Sequence, residues 1–267
     1  MHIISVQKIL FLSLFVLASI FTVTEAYAYT ISDDSTGGDC TTIGTWDSAT
    51  KTCTLTSDIS DNIVINSDGI TLDGNNYTIN VDALEGNGST ISSINHNNVI
   101  IKNFKISCTP DSNNSATCYK FGIIVDGENI IISNNQITNL LNHHIGLRYG
   151  SVYDNLSSGG EIYGNILEKP DWDLNSTWSP AIHAWAKGVK VYDNVIDHFG
   201  HGIQVCREAK VFENTFKNNH VVIERVGQTD LCGQGNVSAL FYNNNFLNNN
   251  NLIGSTNDGQ NVRFHTD

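Results

Sequence analysis

Basic residues are scarce in this 267-residue chain: 14 Lys and Arg stand against 27 Asp and Glu, a net charge of −13. That balance repels polyphosphate and anionic lipid, so nucleic acid is excluded as a partner and the sequence offers no basic patch for a membrane surface. No two cysteines form a C-x-x-C pair and no H-E-x-x-H occurs, so neither a zinc ribbon nor a zinc-protease helix is written here. Helical periodicity of useful length is missing, and hairpin turns are too irregularly spaced for an antiparallel sandwich or propeller. Beyond the N-terminus there is no long apolar run, and no inserted membrane segment is expected once that N-terminus is removed.

What is present is enough apolar side chain, 40% of residues, to bury a continuous core in one large or two small domains. The first 28 residues read as a signal peptide: Lys8, an apolar stretch from Ile9 to Val23, then Ala26-Tyr27-Ala28 as a small-x-small cleavage site. The expected destination is the extracellular space or the cell surface. All six cysteines follow it, which favours disulfides in an oxidising compartment, with buried thiols the alternative. Loop-closure cost favours Cys40 with Cys53, Cys108 with Cys118, and Cys206 with Cys232.

A repeat begins at Val99. Residues 99–106, 130–137, 160–167, 189–196, 209–216 and 239–246 align without a gap. One column holds Phe104, Asn135, Asn165, Asn194, Asn214 and Asn244, at spacings of 31, 30, 29, 20 and 30 residues. The position three before it (Ile101, Ile132, Ile162, Val191, Val211, Phe241) and two after it (Ile106, Ile137, Leu167, Ile196, Phe216, Phe246) is always apolar. Alternation before the asparagine predicts a strand with one buried face, and the apolar residue after it a corner followed by a second inward strand. Asparagine suits the corner because it tolerates a left-handed backbone and its amide can bond to the copies above and below.

A further strand precedes each motif, at residues 122–126, 145–148, 181–185, 202–206 and 221–224. Strands of successive copies can stack in parallel about 4.8 Å apart, each covering the face its neighbour leaves open. Residues 62–66 with 69–74 read as the first coil, residues 29–58 as a cap closed by Cys40–Cys53, and residues 262–265 as one more strand. The expected architecture is therefore all-β: a single-stranded right-handed parallel β-helix over 59–267 with a small disulfide-closed N-terminal cap. The pattern G-I-x-V followed by V-x-I-x-x-N-x-I resembles the repeat of the pectate-lyase superfamily and of NosD-like β-helix proteins. That resemblance covers residues 59–267 and implies fold more than function, since such proteins include lyases, hydrolases, epimerases, adhesins and copper-maturation accessory proteins.

On such a solenoid the outward positions of one sheet form a ladder suited to an extended polymer. Alternation places Asp126, His144, Arg148, His183, Trp185, His201, Gln204, Arg207, His220 and Glu224 on or beside the sheet built from the G-I-x-V strands. Trp172 and Trp178, on the inserted loop 168–180, add flat rings of the kind that pack on sugars. The substrate-binding expectation covers Asp126, His144, Trp172, Trp178, Trp185, Gln204 and His220, and the partner expected is an extracellular polysaccharide. For proton abstraction next to a uronate carboxylate, His183 or His201 serves as base and Arg148, Arg207 or Arg225 as charge partner. Glu224 joins His183, His201, Arg148 and Arg207 as the catalytic candidates. A hydrolase needs two carboxylates, for which Asp171, Asp173, Asp193, Asp197 and Glu224 carry no distinguishing pattern.

No cofactor is specified by a motif; an acidic glycan on so acidic a chain calls for a local basic patch or a bridging cation, for which Ca²⁺ is the candidate. Two other functions stay open: a non-catalytic surface or adhesion protein, and NosD-like copper handling by the histidines clustered between His143 and His220. Six N-x-S/T sequons, at Asn76, Asn87, Asn113, Asn155, Asn175 and Asn236, mark loop sites for glycans. Oligomeric state is not encoded in any of these patterns.

Overall fold

The computed structural model describes residues 28–82, 88–109, 121–138, 147–150, 157–169, 180–205, 208–226, 238–253 and 261–265. Among these residues the chain is all-β and its strands fall into three sheets, paired in parallel except at one edge. Sheet A takes Ala28–Ile31, Asn62–Ile65, Ser89–Ser93, Phe121–Val125, Leu147–Tyr149, Pro180–Ala184, His201–Val205, Val221–Val226 and Asn251–Ile253 in chain order. Sheet B takes Gly44–Asp47, Thr52–Leu55, Thr71–Asp73, Ile100–Lys102, Ile131–Ser133, Glu161–Tyr163, Lys190–Tyr192, Lys210–Phe212, Ser238–Tyr242 and Asn261–His265. Sheet C takes Thr78–Asp82, Lys105–Thr109, Gln136–Thr138, Ile166–Glu168, Val195–Asp197, Thr215–Lys217 and Asn245–Leu247. From residue 62 on, the chain visits A, B and C in turn and then pairs with the strand it laid down one repeat earlier, an arrangement compatible with a solenoid.

Side-chain alternation then dictates the core. In sheet B the row Cys53, Leu72, Ile101, Ile132, Ile162, Val191, Val211 is in register and buried, as is Ile79, Ile106, Ile137, Leu167, Ile196, Phe216 in sheet C. These residues and the inward row of sheet A form one buried cluster. Each isoleucine or valine so covered is stabilised by about 1.5–3 kcal/mol.

The asparagine column forms a continuous ladder. The Nδ2 of Asn135, Asn165, Asn194 and Asn214 donates to the Oδ1 of the next asparagine at 3.0, 2.9, 2.9 and 3.0 Å. The same Oδ1 atoms accept the backbone N–H of the residue one repeat earlier, beginning with Phe104 N–H to Asn135 Oδ1 at 3.0 Å. The left-handed backbone, however, sits one residue earlier than expected: Asn103, Asn134, Gly164, Asp193, Glu213 and Asn243 have φ between 52° and 64°. Two jobs assigned to one residue are divided, because a side chain that must point inward to bond its copies cannot also occupy the turn's exposed apex. A second, shorter ladder at the C-to-A corner, Phe199, Asn219, Asn249, repeats the geometry behind left-handed His198, Asn218 and Asn248.

The stack starts earlier than the repeat suggested. Ala28–Ile31 pairs with Asn62–Ile65 and Thr52–Leu55 with Thr71–Asp73, both in parallel, so residues before 59 contribute to sheets A and B. Gly44–Asp47 lies antiparallel on Thr52–Leu55, and the four-residue helix Cys40–Ile43 buries Cys40 and Ile43 over the end of the core. The Cys40–Cys53 disulfide ties that helix to sheet B. The side chain of Cys108, and Cys118, Cys206 and Cys232, lie outside the described residues.

Adjacent positions 193 and 194 separate the two roles. Asn194→Ala leaves the buried Asn165 N–H without its acceptor and takes a side-chain donor from the Ile162 carbonyl, and urea unfolding should show a loss of about 1–3 kcal/mol, the cost of one orphaned buried group. Asp193→Gly, exposed at φ 54°, should change stability by less than about 1 kcal/mol.

Candidate functional site

The outward rows of sheet A bring several of the expected residues together. Ile124, Arg148, His183 and Gln204 are consecutive register partners across four strands. One residue past the paired Val125, Tyr149 and Ala184, a second outward row runs Asp126, Gly150, Trp185. Arg148 reaches Asp126 with Nη2 to Oδ2 at 3.6 Å. The rings of His183 and Trp185, two residues apart on one face, stack at 4.1 Å with 26° between their planes. Between Asp126 and Trp185 stands Gly150, with φ +96° and only 2.7 Å from a would-be Cβ to Ala186 N. No other residue fits there, so the middle of that row carries no side chain.

The patch is not the open ladder expected from alternation. Asp126 is 5% exposed and His183 and Gln204 are each 8% exposed. Burial leaves polar atoms in need of partners: Arg148 Nε, His183 Nδ1 and Trp185 Nε1 are enclosed and have no hydrogen-bond partner among the described residues. An unmet buried donor or acceptor costs about 1–3 kcal/mol, so three within one patch call for an explanation. Burial first, then the positive charge of Arg148 and the electrostatic influence of His201, holds the His183 imidazole well below its ordinary pKa. It is therefore neutral near pH 7, with one ring nitrogen able to accept a proton.

Other candidates fall elsewhere. His201 pairs with Pro180 and Val221 at the strand start, three residues before Gln204 and off the Arg148–His183–Gln204 register row; it is half-buried and near enough to act electrostatically on His183. His220 precedes its strand and bonds Asn250 through Nδ1 at 3.3 Å. Glu224 lies in Val221–Val226, whose register against His201–Val205 shifts beyond Ile203, so its strand does not simply continue the row through Gln204. The side chain of Glu224, and His144, Trp172, Trp178 and Arg207, lie outside the described residues. So do Asp171 and Asp173.

Asp193 sits at a B-to-C corner and Asp197 on sheet C, so neither joins Asp126 as a carboxylate pair. Asp197 is already held by Lys217 at 2.7 Å, His198 at 2.7 Å and Asn218 at 2.9 Å. Among the described residues no group of three or more His, Cys, Asp or Glu could hold a metal ion. Asp126, engaged by Arg148, is a poor Ca²⁺ ligand by itself, and His143 and His144, two of the histidines considered for copper, lie outside the described residues.

Sequence reasoning passed over one feature that the repeat itself displays. Two residues before the asparagine column stand Tyr163, Tyr192, Phe212 and Tyr242, stacked on the outer face of sheet B at 5.0, 5.0 and 4.9 Å with planes within 9°. The spacing is the inter-strand distance. Because each interior ring has both faces covered by its neighbours, this ladder stabilises the sheet and offers edges, not platforms, to a ligand.

Protonation of His183 couples to stability. Below about pH 6.5 the unfolded chain binds a proton there that the folded chain refuses, so the stability His183 contributes is lost as pH falls below that value and is constant above it. His183→Asn should flatten the unfolding free energy between pH 7 and pH 5; an unchanged slope would show that the imidazole titrates normally. No protein-family model matches the chain, and neither a curated protein nor a solved structure is detectably similar to it, so the functional reading rests on this geometry alone.

Proposed function

We propose that this is a secreted right-handed parallel β-helix that binds an extracellular polysaccharide at the patch formed by Asp126, Arg148, His183 and Trp185. The winding is supported by the recurrence of strands A, B and C with in-register parallel pairing, and its hand by the right-handedness of about 98% of parallel crossover connections. The repeat's likeness to pectate-lyase-superfamily and NosD-like proteins points the same way.

The observation that carries the binding reading is the set of unmatched buried groups. Arg148 Nε and Trp185 Nε1 are donors, and His183 Nδ1 is a donor or acceptor according to tautomer. A sugar supplies hydroxyls of both kinds within a few ångströms of one another, and its apolar ring face suits an indole. Arg148 is the local cation that lets a carboxylated sugar approach a chain of net charge −13.

A second reading is favoured by one pairing. A neutral imidazole beside a guanidinium is the base and charge partner that proton abstraction next to a carboxylate requires, which makes a lyase or epimerase the enzyme class to test. In that case His183 accepts the α-proton and Arg148 stabilises the enolate-like charge. A non-catalytic adhesion role is the outcome if binding occurs without turnover.

The test is a panel of neutral and uronate polysaccharides, scored for binding by calorimetry and for unsaturated products by ultraviolet absorbance. At least one glycan should bind, with Trp185→Ala weakening binding about tenfold or more and Arg148→Gln acting selectively on carboxylated glycans. Unsaturated or epimerised product, abolished by His183→Asn, establishes the enzymatic reading. Failure of every glycan to bind would overturn the proposal.

A further inference from the structure

Sheet A carries two outward rows through the patch, and their chemistry changes from strand to strand. The first runs Ile124, Arg148, His183 and Gln204 in unbroken register. The second, two residues further along each strand, starts at Ile94, one past the paired Ser93 and Val125, and continues through Asp126 and Gly150 to Trp185. Along the stack these positions are apolar at Ile94 and Ile124, charged at Asp126 and Arg148, aromatic at His183 and Trp185, and a neutral amide at Gln204.

Charge sits in the middle of these rows. Arg148 Nη2 lies 3.6 Å from Asp126 Oδ2, longer than a charge-assisted hydrogen bond, and the contact draws the guanidinium toward the preceding strand, away from Gln204. Its remaining donors are left for a ligand carboxylate. On the next strand the imidazole of His183 is held neutral by burial and then by the Arg148 charge. One strand further, Gln204 is 8% exposed and its carboxamide forms no hydrogen bond among the described residues. A carboxamide so placed needs an acceptor and a donor, which a sugar hydroxyl or acetamido group provides. An ionised carboxylate at that position gives up its hydration and meets only a neutral dipole in return.

Strands of a sheet lie about 4.8 Å apart, close to the advance per unit of an extended polysaccharide, so Gln204 stands about two sugar units from Arg148. A polymer with a carboxylate on every unit sets its neighbouring charges over Ile124 and His183. One with a carboxylate on every second unit sets the next charge over Gln204. Asp126 and the net charge of −13 add repulsion. We propose, resting on the glycan-binding reading of the same patch, that the bound polysaccharide carries its carboxylates at intervals of about three units or more, with Arg148 taking a carboxylate and Gln204 hydrogen-bonding an uncharged unit about two places along. Gln204 is thereby the specificity-determining residue, selecting a sparsely charged polymer over a polyuronate.

Oligosaccharides of equal length cut from polygalacturonate, hyaluronan and gellan carry a carboxylate on every unit, every second unit and every fourth unit. By calorimetry the gellan fragment should bind about tenfold or more tighter than the polygalacturonate fragment, with the hyaluronan fragment between them. Gln204→Arg sets a second cation about two units from the first, and should tighten hyaluronan about tenfold while leaving gellan within about threefold. Should that variant fail to fold, the isosteric Gln204→Glu gives the opposite reading: hyaluronan weakened about tenfold or more, gellan again within about threefold. Polygalacturonate or hyaluronan binding as tightly as gellan, with Trp185→Ala weakening each, or hyaluronan affinity indifferent to both substitutions, would overturn the sparse-carboxylate inference and leave glycan binding standing. Failure of all three fragments and of neutral glycans to bind would remove both.

Discussion

Every part of this protein depends on one constraint: an inward side chain is hidden from water only when the neighbouring strand in its sheet lies over it. Ile162, Val191 and Val211 are fully buried because each is sandwiched between register partners in sheet B, while Phe246 and Ile253, the last described members of inward rows in sheets C and A, are more than one-third exposed. The hydrophobic contribution per residue is ordinary, but it is conditional on the neighbour. The asparagine ladder makes register specific. A slip of one residue turns the inward set outward and breaks the chain of amide bonds together.

That constraint explains which features were legible in the sequence. A column repeated at 20–31-residue spacing, with apolar positions three before and two after, suffices to place sheets B and C, because each position has one allowed orientation. The Cys40–Cys53 pairing followed from loop closure and is present. The offset of the left-handed residue was not legible. Asp193 and Glu213, which adopt it, are less common there than asparagine, while the ladder column is uniformly asparagine from Asn135 on; amino-acid preference for the turn and for the ladder coincide in one residue type. Residues 28–31 and 52–55 also escaped notice as stack members because they lack the repeat's corner asparagine.

For the candidate site, alternation correctly puts Arg148, His183 and Gln204 on one row but says nothing about what lies over that row. The difference matters. In an open ladder, His183 would be an ordinary surface imidazole; at 8% exposure beside Arg148 it is held neutral, and its Nδ1 is unmatched. His201, at the strand start opposite Pro180 and Val221, lies off that register row, although its field reaches His183. The sheet B aromatic ladder, visible in the alignment all along, shows that conserved spacing within a chain can serve stacking alone.

The most direct test of the stacked arrangement is the pattern of nuclear Overhauser contacts among inward side chains in solution. The account predicts contacts linking Val191 to both Ile162 and Val211, and Asn194 amide protons close to Asn165 and Asn214, without cross-strand Hα–Hα contacts between those segments. Strong Hα–Hα contacts, the mark of antiparallel neighbours, or amide groups of the asparagine column remote from one another, would contradict it.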